Sequence, residues 1–409
     1  GVFGSMFISW LVVIPRLRRV AEKLGILTTS EYLALRYGQE KFKIISAFWT
    51  IIFIIPMIII QFMGAGYLVE SNMGISYTWG MILIASIVVI STQLSGYLGI
   101  AWLDTAQGIL MTVGTVMMVI VSLRQVGGFS GLNEQLAAIN PGLTEFTGFM
   151  PLSLQIGLII TFLISFWGQP HLTARVWGLK DATAVRTAFP LSMALGAIWA
   201  FGAGLIGLVA KVLYPGLASG DLAMPTMISG LPSIYSVLLF FTLIAAMMTS
   251  ANSLLLAVAA TIGNDLVGKV VKDLPEKTVL MIIKVSVLVI GVLSFVIAIK
   301  PPALILELNA FAFGGFALIF GIPLIIGVLW EKANAAGALV ALSVSPIAYI
   351  LWKIFLVSKT GIPEIVGALL VSVILILVMK VWGSPPSLEM EKIYRLSSNN
   401  SQDNKGVIM

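Results

Sequence analysis

The sequence predicts an all-helical protein that crosses a membrane many times. Of its 409 residues, 59% are hydrophobic and only 10% are charged, and the mean hydropathy is +1.04. Soluble domains carry about 25% charged residues, so the composition excludes a soluble enzyme, a nucleic-acid-binding protein and a disordered chain. Apolar runs such as IISAFWTIIFIIPMIIIQF do not alternate with polar residues, which excludes a membrane β-barrel and leaves helices.

The remaining totals restrict the chemistry further. The chain has no cysteine, which excludes a disulfide scaffold and a thiolate metal site. Its single histidine, His171, excludes a multi-histidine metal centre. The net charge of +6 does not predict a nucleic-acid partner, because excess Lys and Arg in a membrane protein mainly set its orientation.

Eleven stretches are candidate spans, since a helix needs about 20 mostly apolar residues to cross the hydrocarbon layer. They are 2–15 (short), 44–69, 78–98, 102–123, 152–172, 187–210, 233–263, 278–299, 303–330, 335–356 and 363–382.

The charged residues predict the orientation of these spans. Seventeen of the 24 Lys and Arg residues fall in one set of loops and four in the opposite set. Positive charge is retained on the cytoplasmic side, so the first span enters from outside and the C-terminal tail, 383–409, is cytoplasmic. We expect this tail to be disordered beyond about Leu396. The inner segment 16–43 contains TTSEYLALRY, a capped amphipathic helix that lies on the membrane surface or packs across span ends.

Charged groups inside a bilayer are costly, so those within spans are candidates for function. Asp104 begins the fourth span, in SGYLGIAWLDTAQGIL. It is either a functional group of this kind, or an acid that is simply solvated or that satisfies the amides of a helix N-terminus. Glu307, in the ninth span, lies close enough to the outer surface to be solvated.

The fifth span contains FLISFWGQPHLTAR, with Gly168 and Pro170 inside an apolar run. Proline removes an amide donor and clashes with the preceding turn, so the span is either an interrupted helix, as in secondary transporters, or a simple proline kink. Phe162 and Phe166 precede this point, and they either stack on a substrate or pack against neighbouring helices.

The seventh span carries four side-chain oxygens within five residues, in MMTSANSLLL. Thr249, Asn252 and Ser253 share one helix face, and Ser250 lies beside it. Such oxygens suit a hard cation that has lost its water. Hydroxyls in membrane helices also bond to their own chain or to a neighbouring helix, so both interpretations stay open.

Four segments together resemble the sodium:solute symporter family, which includes bacterial proline and pantothenate permeases and the sodium/glucose cotransporters. They are SGYLGIAWLDTAQG at 95–108, WGQPHLTAR at 167–175, AAMMTSANSLLL at 245–256 and NAFAFGGFALIFGIPLIIGVLWEKANAAGAL at 309–339. The likeness extends over nearly the whole chain in the family's order. The last segment is most similar to pantothenate permeases, whereas GQPH is as close to proline permeases, so the substrate branch stays open.

The resemblance implies the inverted-repeat fold of the bacterial leucine transporter, with thirteen or fourteen spans. The eleven predicted spans resemble the last eleven of a thirteen-span member. We therefore expect residues 1–382 to be a transporter domain that lacks the family's first two spans, one of which is a broken helix that contributes to the sodium site.

The resemblance also implies functional positions for named residues. The principal sodium site corresponds to the Ala246 carbonyl, Thr249 and Ser250. A second sodium site, or a coupling role, corresponds to Asp104, Asn252 and Ser253. Substrate-facing positions correspond to Phe162, Phe166 and Pro170. Gln61 and Asn309 are polar residues in mid-span, and we expect them to contact the substrate as well.

We therefore expect a monomeric, multi-pass inner-membrane transporter that couples sodium entry to uptake of a small solute by alternating access. The expected solute is pantothenate, proline or a related carboxylate. Its partners are then the solute, sodium and the lipid bilayer, with no cofactor and no enzymatic activity. A proton-coupled or uncoupled permease of the same fold is one alternative, and a non-transporting membrane sensor is another.

Overall fold

The computed structural model describes residues 2–26, 28–145, 148, 150–179, 182–268, 274–382 and 385–398, and these contain helices but no strands. The α-helices are α1 Val2–Ile8, α2 Ile14–Leu24, α3 Thr29–Tyr37, α4 Lys41–Met73, α5 Tyr77–Gln125, α6 Gly128–Ile139, α7 Leu152–Ser165, α8 Pro170–Trp177, α9 Ala182–Leu213, α10 Ala223–Ser229, α11 Ser233–Ala260, α12 Glu276–Ala298, α13 Ile305–Phe316, α14 Ile322–Leu329, α15 Ala335–Phe355, α16 Val357–Thr360, α17 Glu364–Trp382 and α18 Leu388–Ser398. Three π-helical segments continue these helices, at Ser9–Val13, Thr261–Val267 and Ala317–Gly321.

Nine helical segments of the described chain are long and apolar enough to cross a membrane. They are Lys41–Met73, Tyr77–Leu94, Gly99–Gln125, Leu152–Trp177, Thr183–Leu213, Ser233–Val267, Glu276–Ala298, Ile305–Leu329 and Ala335–Phe355. Each coincides with a predicted span. The other two predicted spans are also helical but shorter: 2–15 covers α1 and the start of α2, and 363–382 forms α17, whose described apolar part is Glu364–Leu377.

The third and fourth predicted spans lie in one helical element, α5, whose contacts to α11 require it to bend. Thr92 bonds to Asn252 at 2.9 Å, and Asp104 bonds to Thr249. Thr92 and Asp104 would lie about 18 Å apart along a straight helix, whereas their partners on α11 are only about 4.5 Å apart. A straight α5 does not fit both contacts, so its two arms, 77–94 and 99–125, are separate spans.

Two spans form the centre of the bundle. In the most apolar stretch of each span, 78% of Ile305–Leu329 and 56% of Lys41–Met73 is buried, against 28–33% in the other seven. The outer helices leave large apolar side chains exposed, for example Trp102 at 78% and Ile234 at 77%. Because apolar surface of this extent is unfavourable in water, the outer face of the bundle contacts lipid.

Helix α3 packs across the span ends instead of lying on the membrane surface. Its N-terminus is capped by Thr28, whose hydroxyl accepts from the Glu31 amide at 3.1 Å. Tyr32 and Tyr37 are fully buried, and the Tyr37 hydroxyl donates to the Pro323 carbonyl at 2.8 Å. Burial raises the pKa of Tyr37 well above its usual range, so the phenol stays protonated and retains this bond.

Arg36 of α3 caps the C-terminal end of α14. Its guanidinium is fully buried and donates to the carbonyls of Gly327 and Trp330, both at 2.8 Å. Helix α18 covers the same end, where Arg395 pairs with Glu331 at 3.4 Å. The first part of the predicted tail is therefore helical. The disorder expected beyond about Leu396 falls mainly on residues 399–409, which lie outside the described residues.

Candidate functional site

Helix α11 presents its hydroxyl groups to a cavity of about 550 Å³. Thr249, Ser250 and Ser253 contribute to one wall of this central cavity. The Ser250 hydroxyl donates to the Ala246 carbonyl at 3.1 Å, which is the usual bond of a helical serine to the residue four positions earlier. The three groups expected at the principal sodium site therefore lie together, beside an open volume.

Asp104 faces α11 from the second arm of α5. One carboxylate oxygen accepts from the Thr249 hydroxyl, and the other accepts from the Arg175 guanidinium. The same nitrogen of Arg175 donates to the Ser253 hydroxyl at 3.1 Å. We call Asp104, Arg175, Thr249 and Ser253 the Asp104 cluster. Because α5 is helical on both sides of Asp104, this carboxylate does not cap a helix N-terminus.

Asn252 is buried, and its side-chain oxygen makes a different contact. It accepts hydrogen bonds from Ser91 at 3.1 Å and from Thr92 at 2.9 Å, both on the first arm of α5. The groups expected at a second sodium site are therefore divided. Asp104 and Ser253 meet through Arg175, whereas the Asn252 oxygen joins α11 to the other arm of α5.

The fifth predicted span is an interrupted helix and not a kinked one. Helix α7 ends at Ser165, a 3-10 turn covers Phe166–Gly168, Gln169 is extended with ψ of 116°, and Pro170 begins α8. A Cβ atom on Gly168 would lie 2.5 Å from the Phe316 carbonyl oxygen. Only glycine allows this close backbone approach, so the interruption is held against the span Ile305–Leu329.

Two of the predicted substrate-facing residues line cavities. Phe166 lines the central cavity together with the hydroxyls of α11. Pro170 lines a second cavity of about 410 Å³, whose wall also contains Thr29, Thr173 and Asp265. The interrupted helix therefore separates these two predicted positions, which face different volumes.

The other three predicted substrate-facing residues line neither cavity. The Phe162 ring packs edge-on against Phe313 with centroids 5.1 Å apart. The Gln61 amide donates to the Met57 carbonyl of its own helix at 3.4 Å. Asn309 lies on α13 and is partly buried. In the described residues the structure therefore does not gather the five positions into one pocket.

The two cavities share Arg175 and Ser253, together with His171 and Thr173. The second cavity extends toward Thr28 at the start of α3 and Asn264 in the π-helical end of α11. Since α3 belongs to the segment predicted to be cytoplasmic, we refer to this volume as the inner cavity. Arg175 lies at the boundary between the central and inner cavities.

Comparison with known proteins identifies the family. A family model described as the sodium:solute symporter family matches residues 2–344. The chain belongs to the sodium:solute symporter family. It is 30% identical over 395 residues to the osmoregulated proline transporter OpuE of Bacillus subtilis, covering 91% of this chain and 78% of that protein. It is also 30% identical to the sodium/pantothenate symporter of Escherichia coli, covering 89% and 77% respectively.

A solved structure shares the fold of this symporter. It is the substrate-bound, outward-open state of a Na+-coupled sialic acid symporter, with a TM-score of 0.76 and 21% identity, covering 94% of this chain and 84% of that one. The leucine-transporter-type fold predicted from the resemblance is confirmed. Family membership also confirms a multi-pass membrane transporter, in a family of transporters and not of enzymes.

Sequence reasoning missed the role of Arg175 in this symporter. From the sequence, Arg175 falls among the seventeen loop charges on the predicted cytoplasmic side, because it follows the apolar run of the fifth span. Its partner Asp104 is 71 residues away, so no local spacing relates them. The available signal was an acid and a base at the inner ends of two different spans, a pairing that is favourable inside a membrane.

Proposed function

We propose that the Ala246 carbonyl and the hydroxyls of Thr249 and Ser250 hold the coupling sodium ion. The observation that supports this most strongly is the hydrogen bond from Thr249 to Asp104 at the wall of the central cavity. A hydroxyl that donates its proton to a carboxylate becomes more negative at its oxygen and keeps its lone pairs for a cation. The Ala246 carbonyl, which accepts from Ser250, also has a second lone pair.

The proposed role of Asp104 is to tune this site electrostatically. Its carboxylate lies one hydrogen bond from Thr249, in a cavity bordered by apolar side chains such as Trp10 and Trp199. Its negative charge balances that of the Arg175 guanidinium, so that the cavity does not repel an entering cation. Asp104 therefore favours sodium entry without having to contact the ion.

The proposed solute is a small carboxylate such as proline or pantothenate, bound in the central cavity. Support comes from the similarity to a proline transporter and to a pantothenate symporter, and from a volume in the range of small-molecule sites. Phe166 offers an aromatic surface beside the proposed sodium ligands. Phe162, Pro170, Gln61 and Asn309 remain predictions as substrate-facing residues.

In the proposed cycle, sodium stabilises the outward-open state and completes the solute site, and both then leave toward the inner cavity. The interrupted span and its contact through Gly168 supply the irregular backbone around which transporters of this kind rearrange. Sodium therefore favours solute binding both by completing the solute site and by its preference for one state over the other.

We also propose that residues 1–382 form the transporter domain of a monomer in the inner membrane, with 383–409 as a cytoplasmic tail. The contact of Arg395 in α18 with Glu331, and of Arg36 in α3 with the end of α14, supports a common side for these segments. That side carries the excess of Lys and Arg, which favours the cytoplasm.

A solute screen tests the proposed function. The full-length protein that carries this sequence is reconstituted in liposomes, and labelled proline, pantothenate and related carboxylates are offered with external sodium or with choline in its place. We expect one solute to accumulate only with sodium. Accumulation that is equal in sodium and choline would contradict sodium coupling.

A further inference from the structure

The positively charged side chain of Arg175 lies between Asp104 and Ser253. The Arg175 guanidinium places a single nitrogen within hydrogen-bond distance of both the Asp104 carboxylate and the Ser253 hydroxyl. The other carboxylate oxygen is engaged by Thr249. Two of the three groups expected to line a second sodium site are thus already coordinated to a positive charge that belongs to the protein.

We propose that Arg175 takes the place of a second sodium ion, so that this transporter binds a single sodium, at Thr249 and Ser250. The inference rests on the proposed function of that hydroxyl pair. The inference extends the proposed function by assigning Arg175 as a positioning residue and by setting the number of coupling ions at one.

Electrostatics favours this assignment over a second sodium. A partly buried carboxylate requires a counter-ion, and Arg175 supplies one that is covalently tethered and always charged. A sodium ion bound to both Asp104 and Ser253 would have to share the position that the guanidinium occupies, where two like charges repel strongly. The ion could enter only if Arg175 were displaced from both partners.

The number of available oxygen ligands also favours a single ion. The Asn252 side-chain oxygen accepts two hydrogen bonds from Ser91 and Thr92, and so it serves the contact between α11 and α5. The remaining expected ligands are the side-chain oxygens of Asp104 and Ser253, and both already accept hydrogen bonds from Arg175. A hard cation replaces its water by several oxygens at once, and the position does not provide them while Arg175 is there.

The position nevertheless adjoins open volume on two sides. Arg175 lines both the central cavity and the inner cavity, and its side chain is 33% exposed. If the guanidinium were removed, water and ions would reach the Asp104 carboxylate. Removing the tethered charge is therefore expected to create a sodium site where the natural protein has none.

Counting bound sodium tests the inference directly. The full-length protein is purified in detergent, and ²²Na⁺ binding is measured per chain at saturation in the absence of solute. We expect one sodium for the natural protein, two for Arg175→Gln, and one for Arg175→Lys, which keeps the charge. Adding Asp104→Asn to Arg175→Gln should return the count to one.

The outcomes separate this inference from the proposed function. Two sodium ions on the natural protein, or one on a folded Arg175→Gln protein, would overturn the role of Arg175 while leaving the Thr249–Ser250 site in place. Sodium binding that is absent from the natural protein, or that is unchanged by Thr249→Ala combined with Ser250→Ala, would instead overturn the proposed site itself. The count for the natural protein tests the inference even if a variant fails to fold.

Discussion

The Thr249 hydroxyl donates a hydrogen bond to the Asp104 carboxylate and thereby joins α11 to the second arm of α5. The contact positions the carboxylate, and because the hydroxyl acts as the donor, its oxygen keeps its lone pairs for the proposed sodium ion.

Replacing Thr249 or Ser250 by Ala removes one proposed sodium ligand. We expect the sodium concentration for half-maximal uptake to rise about tenfold or more, equivalent to about 1.4 kcal/mol. The measurement is the initial rate of solute uptake over a series of sodium concentrations. Thr242→Ala is the matched control, because this hydroxyl bonds to the Leu238 carbonyl on the same helix and does not line the central cavity. An equal shift in the control would show that the effect is structural.

The Asp104→Asn variant removes the charge and keeps the size of the side chain. We expect weaker sodium binding, because the amide no longer balances the positive charge of Arg175, which then repels a cation at the neighbouring hydroxyl pair. The sodium dependence of uptake measures this effect in protein that reaches the membrane at normal levels. Asp221→Asn is the control, since its carboxylate accepts from the Ile305 amide at 3.2 Å, away from the cavity. Unchanged sodium dependence in Asp104→Asn would argue for a purely structural carboxylate.

Arg36→Met is expected to destabilise the protein by about 2–3 kcal/mol, because it removes the charged donor to the buried Gly327 carbonyl and one of the donors to the Trp330 carbonyl. Arg395→Met is the matched control. Arg395 contacts the same region through Glu331 but is 57% exposed, so its loss should cost at most about 1 kcal/mol. Equilibrium unfolding in detergent compares the two, and equal stability would contradict the assignment of Arg36 as the cap of α14.

Gly168→Ala tests the close contact at the interruption of the fifth span. The added methyl group would overlap the Phe316 carbonyl, so we expect a loss of about 1–3 kcal/mol in stability. Gly204→Ala is the control, because a Cβ atom there meets no neighbour within 4 Å. Thermal melting compares the two variants, and we expect a lower melting temperature for Gly168→Ala than for Gly204→Ala. If both melt like the natural protein, the interruption does not depend on this backbone contact.

The parts of this structure that depend on local sequence were predictable. The spans follow from runs of apolar residues, the interruption follows from Gly168 and Pro170, and the hydroxyl face of α11 follows from helical spacing. The bend in α5 was predicted only as a boundary between two spans. The structure instead assigns both spans to one helical element, whose two arms are each hydrogen-bonded to α11, at Asn252 and at Thr249.

The contacts that depend on distant residues were not predictable. Arg175 and Asp104 lie far apart in the sequence, and a basic residue after an apolar run is normally a loop charge. The same holds for Asn252. Helical spacing relates its side chain only to residues one turn away on α11, whereas its oxygen accepts hydrogen bonds from Ser91 and Thr92, about 160 residues away. These tertiary contacts decide which of the predicted oxygens remain available to an ion.

Gradient-driven transport tests the central claim most directly, namely that sodium bound at Thr249 and Ser250 drives solute uptake. Liposomes containing the full-length protein, or its Thr249→Ala, Ser250→Ala double variant, are given a sodium gradient alone or a proton gradient alone. We predict that the sodium gradient drives solute accumulation by the natural protein, that the double variant loses it, and that the proton gradient drives neither. Accumulation by the natural protein on a proton gradient alone, or full sodium-driven accumulation by the double variant, would contradict the account.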